Sequence, residues 1–452
     1  MKYPIFKVHV DKEAALKELD KVLGSGFLNE GEQVTELTNQ LSKYLKHDKV
    51  VLLNSCTSAL TLALRLAGVE KTDAVLSISM TCIASNTPIH DIGARIIWAD
   101  INRETGNIDP NVVDNLLTRH PYIKAVLCVD WAGFPCDLQV LKDICDEHGV
   151  KLIQDAAHAF GATYNGQQVC HFAHYTCYSL QAIKHITCGD GGILVCEDEE
   201  DFKRAKKLKW FGIDREATKD AKGEWKGQRW NVDVEESGFK YHMNNISAAI
   251  GLSQMSHVEY IVNQHQANGF IYEDLFQDNP YIQLLKYPSK SKPSFWVYTL
   301  LLDESLDRDA ILEQLNKAGI GAGVVHIPNH IYTCFKSSKA DLPETDYFSR
   351  HQISLPCGWW LSTDDIKLIA KTLNTIIESR IQGEAYPEKW QTALNEFYES
   401  HGVGDTVKHK KAFWNKQSPN TCITHVETDE QWVKVMEFSW LVDAFPEDMK
   451  FA

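Results

Sequence analysis

Between residues 50 and 200, short apolar runs alternate with segments of helical period, and this alternation limits the architecture more than any other feature of the chain. The expected strands are Val50–Leu53, Ala74–Ser79, Arg95–Ala99, Ala125–Val129, Lys151–Gln154, Tyr175–Ser179 and Gly192–Cys196. Several are apolar almost throughout, as strands covered on both faces must be. Between them lie segments such as Leu138 to His148, with Leu138, Leu141, Ile144 and Cys145 on one helical face. Such an order predicts an α/β fold: a mainly parallel seven-stranded sheet flanked by helices.

Beyond Asn245 the pattern changes. Ile246 to about Phe276 reads as one long helix. A smaller α+β region follows, with a strand over Phe295–Leu302, a helix over Asp309–Ala318 closed by Gly319, and a final helix over Asp364–Ser379. After about Ile381 the texture changes again. Glu388–Ser400 carries Trp390, Leu394 and Phe397 at helical spacing, and Ser400 to Asp405 reads as a loop. Thr428-Asp-Glu-Gln431 reads as a capping box for a helix bearing Trp432, Val435, Met436 and Trp440. Four tryptophans in this stretch argue for order. The expected division is a large domain over 1–250, a small α+β domain over 251–380, and a Trp-rich extension over 381–452.

Composition narrows the class of partner. A length of 452 residues allows a large core, and a net charge of −15 disfavours nucleic acid and anionic membrane as partners. No apolar stretch reaches the ~18 residues of a membrane span, and the first residues do not read as a signal peptide. The twelve cysteines form no Cys-x-x-Cys pair and lie mostly in apolar runs. They read as reduced core residues of a cytoplasmic protein, with no metal site.

Chemistry concentrates at the ends of the expected strands. Asp155 follows Lys151–Gln154, at the carboxyl edge where α/β folds bind ligands. Lys184 lies 29 residues later, in a turn between two apolar runs. A lysine amine beside a buried carboxylate is what holds pyridoxal phosphate: the amine takes the aldehyde and the carboxylate keeps the pyridine nitrogen protonated. Asn54 to Ser58 runs from a strand into a helix, so backbone N–H groups there can meet a phosphate. Ser179 ends the strand before Lys184, and Gly189, Gly191 and Gly192 suit a tight turn into the next strand. His158 stands three residues past Asp155, where it would contact the ring hydroxyl, orient a substrate, or serve packing alone. Each piece has a plainer reading by itself: helix capping by Ser55 or Thr57, capping by Asp155, a solvated lysine. Their order, each at a strand end, favours the cofactor.

The chain resembles the sugar aminotransferases of the DegT/DnrJ/EryC1/StrS family, which have the aspartate-aminotransferase-like fold type I. The likeness runs from about Gly26 to Thr375. It rests on Gly26-Phe-Leu-Asn-Glu-Gly31, Asn54-Ser-Cys-Thr-Ser-Ala-Leu60, Asp109, Gln154-Asp-Ala-Ala-His-Ala-Phe-Gly161, Ser179 with Lys184, Gly238 to Gly251, and Ile353-Ser-Leu-Pro-Cys-Gly-Trp-Trp360. The resemblance implies pyridoxal 5'-phosphate as cofactor, with pyridoxamine 5'-phosphate as its amino form. It implies Lys184 as Schiff-base lysine and proton shuttle, Asp155 at the pyridine nitrogen, and His158 near the ring oxygen. Thr57, Ser58 and Ser179 would hold the phosphate. Lys240 matches a position, often asparagine, that reaches the phosphate of the neighbouring subunit in a homodimer. His326, in Val324-Val-His-Ile-Pro328, matches a substrate segment. Cys56 stands where glycine is usual, and Cys82, where an aromatic residue commonly stacks on the ring, would cover the ring face. The extension after about Ile381 has no counterpart in the usual family length.

The implied reaction moves an amino group, with glutamate the expected donor, to a ketone on a nucleotide-linked sugar such as a 4-keto-6-deoxyhexose. The product would be an amino-deoxy sugar for a polysaccharide or glycoconjugate. Two other readings stand beside it. Sugar dehydratases of the same fold carry histidine in place of the lysine, so Lys184 counts against them. A non-catalytic scaffold would have no use for the Asp155–Lys184 pair.

Overall fold

The computed structural model describes residues 1–215, 233–381, 388–403 and 406–417, with Val433, Met436, Glu437 and Trp440. The chain divides into two compact units. The first comprises Met1–Glu304 and Gly319–Ile366, and the second Ser305–Ala318 and Lys367–Ala452.

In the first unit the strands are β1 (Val50–Leu53), β2 (Ala74–Ile78), β3 (Arg95–Ala99), β4 (Ile123–Val129), β5 (Lys151–Asp155), a short hairpin β6 (Thr163–Tyr164) and β7 (Gln167–Gln168), β8 (Tyr175–Ser179), β9 (Gly192–Cys196), β10 (Ile282–Leu284), β11 (Tyr298–Leu302) and β12 (Gln352–Leu355). The seven expected strands form one sheet in the order β1-β9-β8-β5-β4-β2-β3. Pairs β2/β3, β2/β4, β4/β5 and β5/β8 are parallel, while β9 runs antiparallel to both β1 and β8. β1, β2, β8 and β9 are buried at every residue, which accounts for their unbroken apolar pattern. Helix Leu138–Glu147 buries Leu138, Leu141 and Cys145, the face read from its period. A second, antiparallel sheet, β10-β11-β12, clusters with the same unit.

Two expectations are corrected. The long helix after Asn245 is two helices, Asn245–Met255 and Val258–Phe276. At the break the His257 N–H bonds the Gln254 carbonyl in a tight turn, and the His257 ring meets Asp11 at 3.0 Å. The strand expected from Phe295 begins instead at Tyr298, because Phe295 is left-handed with φ 46°. A residue in that region cannot continue a pleated strand.

The second unit holds helices Arg308–Lys317, Glu388–Ser400 and Val407–Gln417, and most of Thr363–Ile381. The aromatic spacing after residue 388 becomes a cluster. Trp414 is buried and its indole N–H donates to the Tyr398 hydroxyl at 2.6 Å, while that hydroxyl donates to Glu437 at 2.8 Å. Phe397 packs on Trp440 with ring centroids 4.2 Å apart. The capping box over residues 428–431 lies outside the described residues. No described helix is long and apolar enough to cross a membrane.

Candidate active site

Strand register brings the sequence pieces together at one edge of the large sheet. Leu53 at the end of β1 pairs with Gly192 at the start of β9, and Gly192 pairs with Ser179 at the end of β8. One strand further, Asp155 ends β5 opposite Cys177 of β8. Helix Cys56–Leu66 starts above this edge, capped by Ser55, whose hydroxyl accepts the Ser58 N–H at 3.1 Å. The Ser58 hydroxyl donates to Asn54 at 2.7 Å. Ser55 thus fills the capping role, and the first N–H groups, at Cys56 and Thr57, have no carbonyl a turn earlier to bond.

Gly192 makes this close approach feasible. A Cβ there would fall 2.2 Å from the Ser55 carbonyl oxygen and close to the Cys56 nitrogen. Gly192→Ala is therefore expected to push the helix start off the sheet, costing about 1–3 kcal/mol by overpacking. Thermal unfolding should show the loss, and weakened capture of a phosphate-bearing cofactor should accompany it.

Asp155 is buried. Ser85 donates to one carboxylate oxygen at 2.6 Å and the Ala157 N–H to the other at 3.0 Å. Burial nevertheless raises its pKa, against the opposing pull of Ser85, Ala157 and the Lys184 charge. A carboxylate in this position is stabilised by a further cation or proton on its partner.

Lys184 sits in an ordered turn. The Ser179 hydroxyl accepts the Gln181 N–H at 3.3 Å, and the Gln181 side chain accepts the Ile183 N–H at 3.0 Å. Gly189, at φ 78°, supplies the left-handed residue that closes the return to β9. Desolvation lowers the Lys184 pKa to about 8 despite the charge of Asp155. Its ammonium lies 3.8 Å from the Trp296 ring centroid.

His158 and His326 lie in the same place. Their rings stack at 5.4 Å and 9°, and His158 stacks on Trp296 at 3.9 Å and 10°. Burial keeps both imidazoles neutral, holding His326 down at about 3 and His158 well below its ordinary value. Among the described residues, His158 Nδ1 and His326 Nε2 are buried with no hydrogen-bond partner, so each can accept from or donate to a bound molecule. The His326 carbonyl accepts the Gln352 amide at 2.8 Å, and three residues on Asn329 ties its segment to the Ser79 carbonyl at 2.8 Å and the Thr81 carbonyl at 2.7 Å.

Cys82 immediately precedes helix Ile83–Asp91, and both Cys82 and Cys56 lie within electrostatic reach of Lys184. Burial pushes the Cys56 thiol well up, so it is a neutral wall of the site. Lys240 precedes Tyr241, whose carbonyl accepts the Asn54 N–H at 2.7 Å. Lys240 itself is exposed, with its ammonium 3.5 Å from the Trp210 ring centroid.

Two contributors were missed from sequence. Ser85 has no motif around it, and its one sequence signal is a hydroxyl three residues past Cys82. Trp296 looked like part of an apolar strand. The nearby Pro293 and Ser294 were the one hint that the strand starts later.

The chain matches the DegT/DnrJ/EryC1/StrS aminotransferase family over residues 9–374. It belongs to that family. The family match spans the large sheet, the Lys184 turn and the His326 segment. Among relatives, the UDP-4-amino-4,6-dideoxy-N-acetyl-beta-L-altrosamine transaminase of Campylobacter jejuni is 28% identical over 376 residues, covering 82% of this chain and 96% of its own. The crystal structure of the sugar aminotransferase CalS13 from Micromonospora echinospora is similar with a TM-score of 0.76 at 30% identity, covering 83% of this chain and 100% of its own. Spr1654 from Streptococcus pneumoniae, solved in a PLP form, is similar with a TM-score of 0.76 at 26% identity, covering 84% of this chain and 100% of its own. The fold is that of the family's fold type I enzymes, and the chain is an aminotransferase of sugars.

Proposed function

We propose that this chain is a pyridoxal-phosphate-dependent aminotransferase acting on a nucleotide-linked keto sugar. The observation that carries the reading is one row of strand ends bearing a phosphate-ready helix start, a buried carboxylate, and a desolvated lysine within electrostatic reach of two buried histidines. These residues fit the cofactor in the chemistry of their donors and charges. The Cys56 and Thr57 N–H groups, with Thr57, Ser58 and Ser179, would hold its phosphate. Asp155 would hold its pyridine nitrogen protonated, His158 would meet its ring oxygen, and Cys82 would cover a ring face. When bound, the cofactor supplies an electron sink and a carrier for the amino group.

The protein's own work is then binding and proton transfer. Ser85 and the Ala157 N–H aim Asp155. Lys184 takes a proton from the carbon bearing the donor's amine and returns one when the acceptor is aminated. His326 would face the substrate as a neutral group, able to bond a hydroxyl without adding charge. Lys240 of each subunit would reach the phosphate across a homodimer as a point charge. Its exposure at the surface supports this.

Glutamate as donor, a 4-keto-6-deoxyhexose as acceptor and an amino-deoxy sugar as product complete the reading. The UDP-linked sugar in the name of the Campylobacter relative supports the nucleotide. A cytoplasmic setting agrees with the eleven described cysteines, all free thiols.

Because a base must be neutral to accept a proton, the lysine-dependent step should speed up as pH rises through about 8, the lowered Lys184 pKa. It should level off above. Single-turnover rates measured between pH 6 and 10 check this; a rate flat across pH 8 would count against Lys184 as the base. The function itself is tested by incubating the protein with pyridoxal phosphate, glutamate and a panel of keto-sugar nucleotides. Exchange of ketone for amine makes a product heavier by about 1 mass unit. Loss of water without gain of nitrogen would mean dehydration instead.

A further inference from the structure

Trp296 is buried, yet it is not ordinary core. Its indole N–H donates to the Ile183 carbonyl at 2.8 Å, the residue just before Lys184. Its ring lies 3.8 Å from the Lys184 ammonium. The indole plane is fixed by stacking on His158 at 3.9 Å and on Phe6 at 4.8 Å.

The backbone is bent to aim it. Phe295 is left-handed at φ 46°, and Ala132 opposite is left-handed at φ 52°. The two segments are tied across: the Trp296 N–H bonds the Ala132 carbonyl at 2.9 Å, and the Ser294 N–H bonds the Gly133 carbonyl at 3.0 Å. The Ser294 hydroxyl bonds the His158 carbonyl at 2.9 Å. The Phe295 ring fits only because position 269 is glycine, where a Cβ would fall 2.4 Å from it. A bulky aromatic residue held in the left-handed region is strain that the surroundings must sustain, and such strain gathers at functional sites.

We infer that Trp296 is a positioning residue for Lys184: its N–H anchors the turn that carries the lysine, and its ring face holds the free amine as an ammonium. The inference rests on the proposed function, in which Lys184 alternates between neutral base and protonated acid. In the protonated half of that cycle the amine needs a place that tolerates charge and keeps it within reach of the reacting carbon. Desolvation works against the ammonium there. A ring face offers it partial compensation through the negative charge density of the π system. The site thereby keeps both protonation states of Lys184 accessible near neutral pH.

The test uses the cofactor-free protein. Competitive labelling of amines followed by peptide mass spectrometry gives the pH at which Lys184 is half-reactive. Growth with mono- and trifluorinated tryptophan withdraws electron density from the ring without changing its shape enough to unfold the chain. The half-reactive pH should fall stepwise with fluorination, by roughly half to one pH unit in all. An unmoved value across the series overturns the ring's role. Trp296→Phe keeps a ring face but loses the N–H. It should leave the Lys184 titration near that of the parent while weakening pyridoxal phosphate capture by roughly two- to tenfold, the worth of one hydrogen bond. Capture unchanged in that variant overturns the anchoring role. These readouts need no turnover. Normal Lys184 titration in a parent protein that fails to transfer amine would instead count against the proposed function.

Discussion

Lys184→Ala is expected to lower amino transfer by more than roughly 10³-fold, since a positioned acid–base group alone contributes roughly 10²–10⁴-fold and this lysine is also the expected attachment point. Lys184→Arg should fare little better, because a guanidinium stays protonated at all working pH values. The fold should survive both changes. The folded-state pKa of Lys184, about 8, lies below its ordinary 10.5, so the folded chain binds this proton less tightly than the unfolded chain does. The group therefore costs stability below pH 8, and that cost fades as pH rises from 8 towards 10.5. Removing the amine removes the cost. Thermal unfolding at pH 7 should show a midpoint equal to or above that of the parent. A large fall in the midpoint would mean that Lys184 is a structural cation and not a reactive amine.

Asp155→Asn is the second large effect. The substitution preserves shape, and the Ser85 hydroxyl can still donate to the remaining amide oxygen. What it removes is the charge that would keep a pyridine nitrogen protonated. Breaking one side of a buried charged pair costs roughly 3–5 kcal/mol, which corresponds to roughly 10²–10³-fold or more in rate. The loss should appear in both half-reactions, the one that takes the donor's amine and the one that gives it to the acceptor. Rapid-mixing measurements of each half-reaction check this. A loss confined to the sugar half would assign Asp155 to substrate binding. Unfolding at acid pH offers a second view: burial raises the Asp155 pKa, so the unfolded chain gives up this proton more readily than the folded one. Asp155 therefore favours folding at low pH and ceases to do so as pH rises through its raised pKa. Asn should erase that dependence.

The large sheet was legible because several of its strands are apolar almost throughout, and burial on both faces demands that pattern. Asp155, Ser179 and Lys184 were legible for a related reason: polar residues at the ends of such runs stand out. The register that sets Ser179 beside Gly192 and Gly192 beside Leu53 was not written in any one segment, since it arises from β9 running antiparallel between its neighbours. The break at His257 escaped the periodicity because the apolar residues on either side keep helical spacing. The ring at the break bonds a residue distant in sequence, Asp11. Trp296 escaped for a deeper reason. Nothing in Phe295-Trp-Val-Tyr-Thr-Leu distinguishes a strand from a strand with a left-handed first residue. Only the packing of Phe295 on Gly269, and the bonds to Ala132 and Gly133, turn the chain there.

The central claim is that one lysine, Lys184, holds the cofactor and moves the proton. The direct measurement is reduction of the pyridoxal-phosphate-loaded protein with borohydride, followed by peptide mapping. The account predicts the reduced cofactor on the peptide containing Lys184 and on no other, with the label lost in Lys184→Ala. Label on a different lysine, or a protein that takes up none, would contradict it.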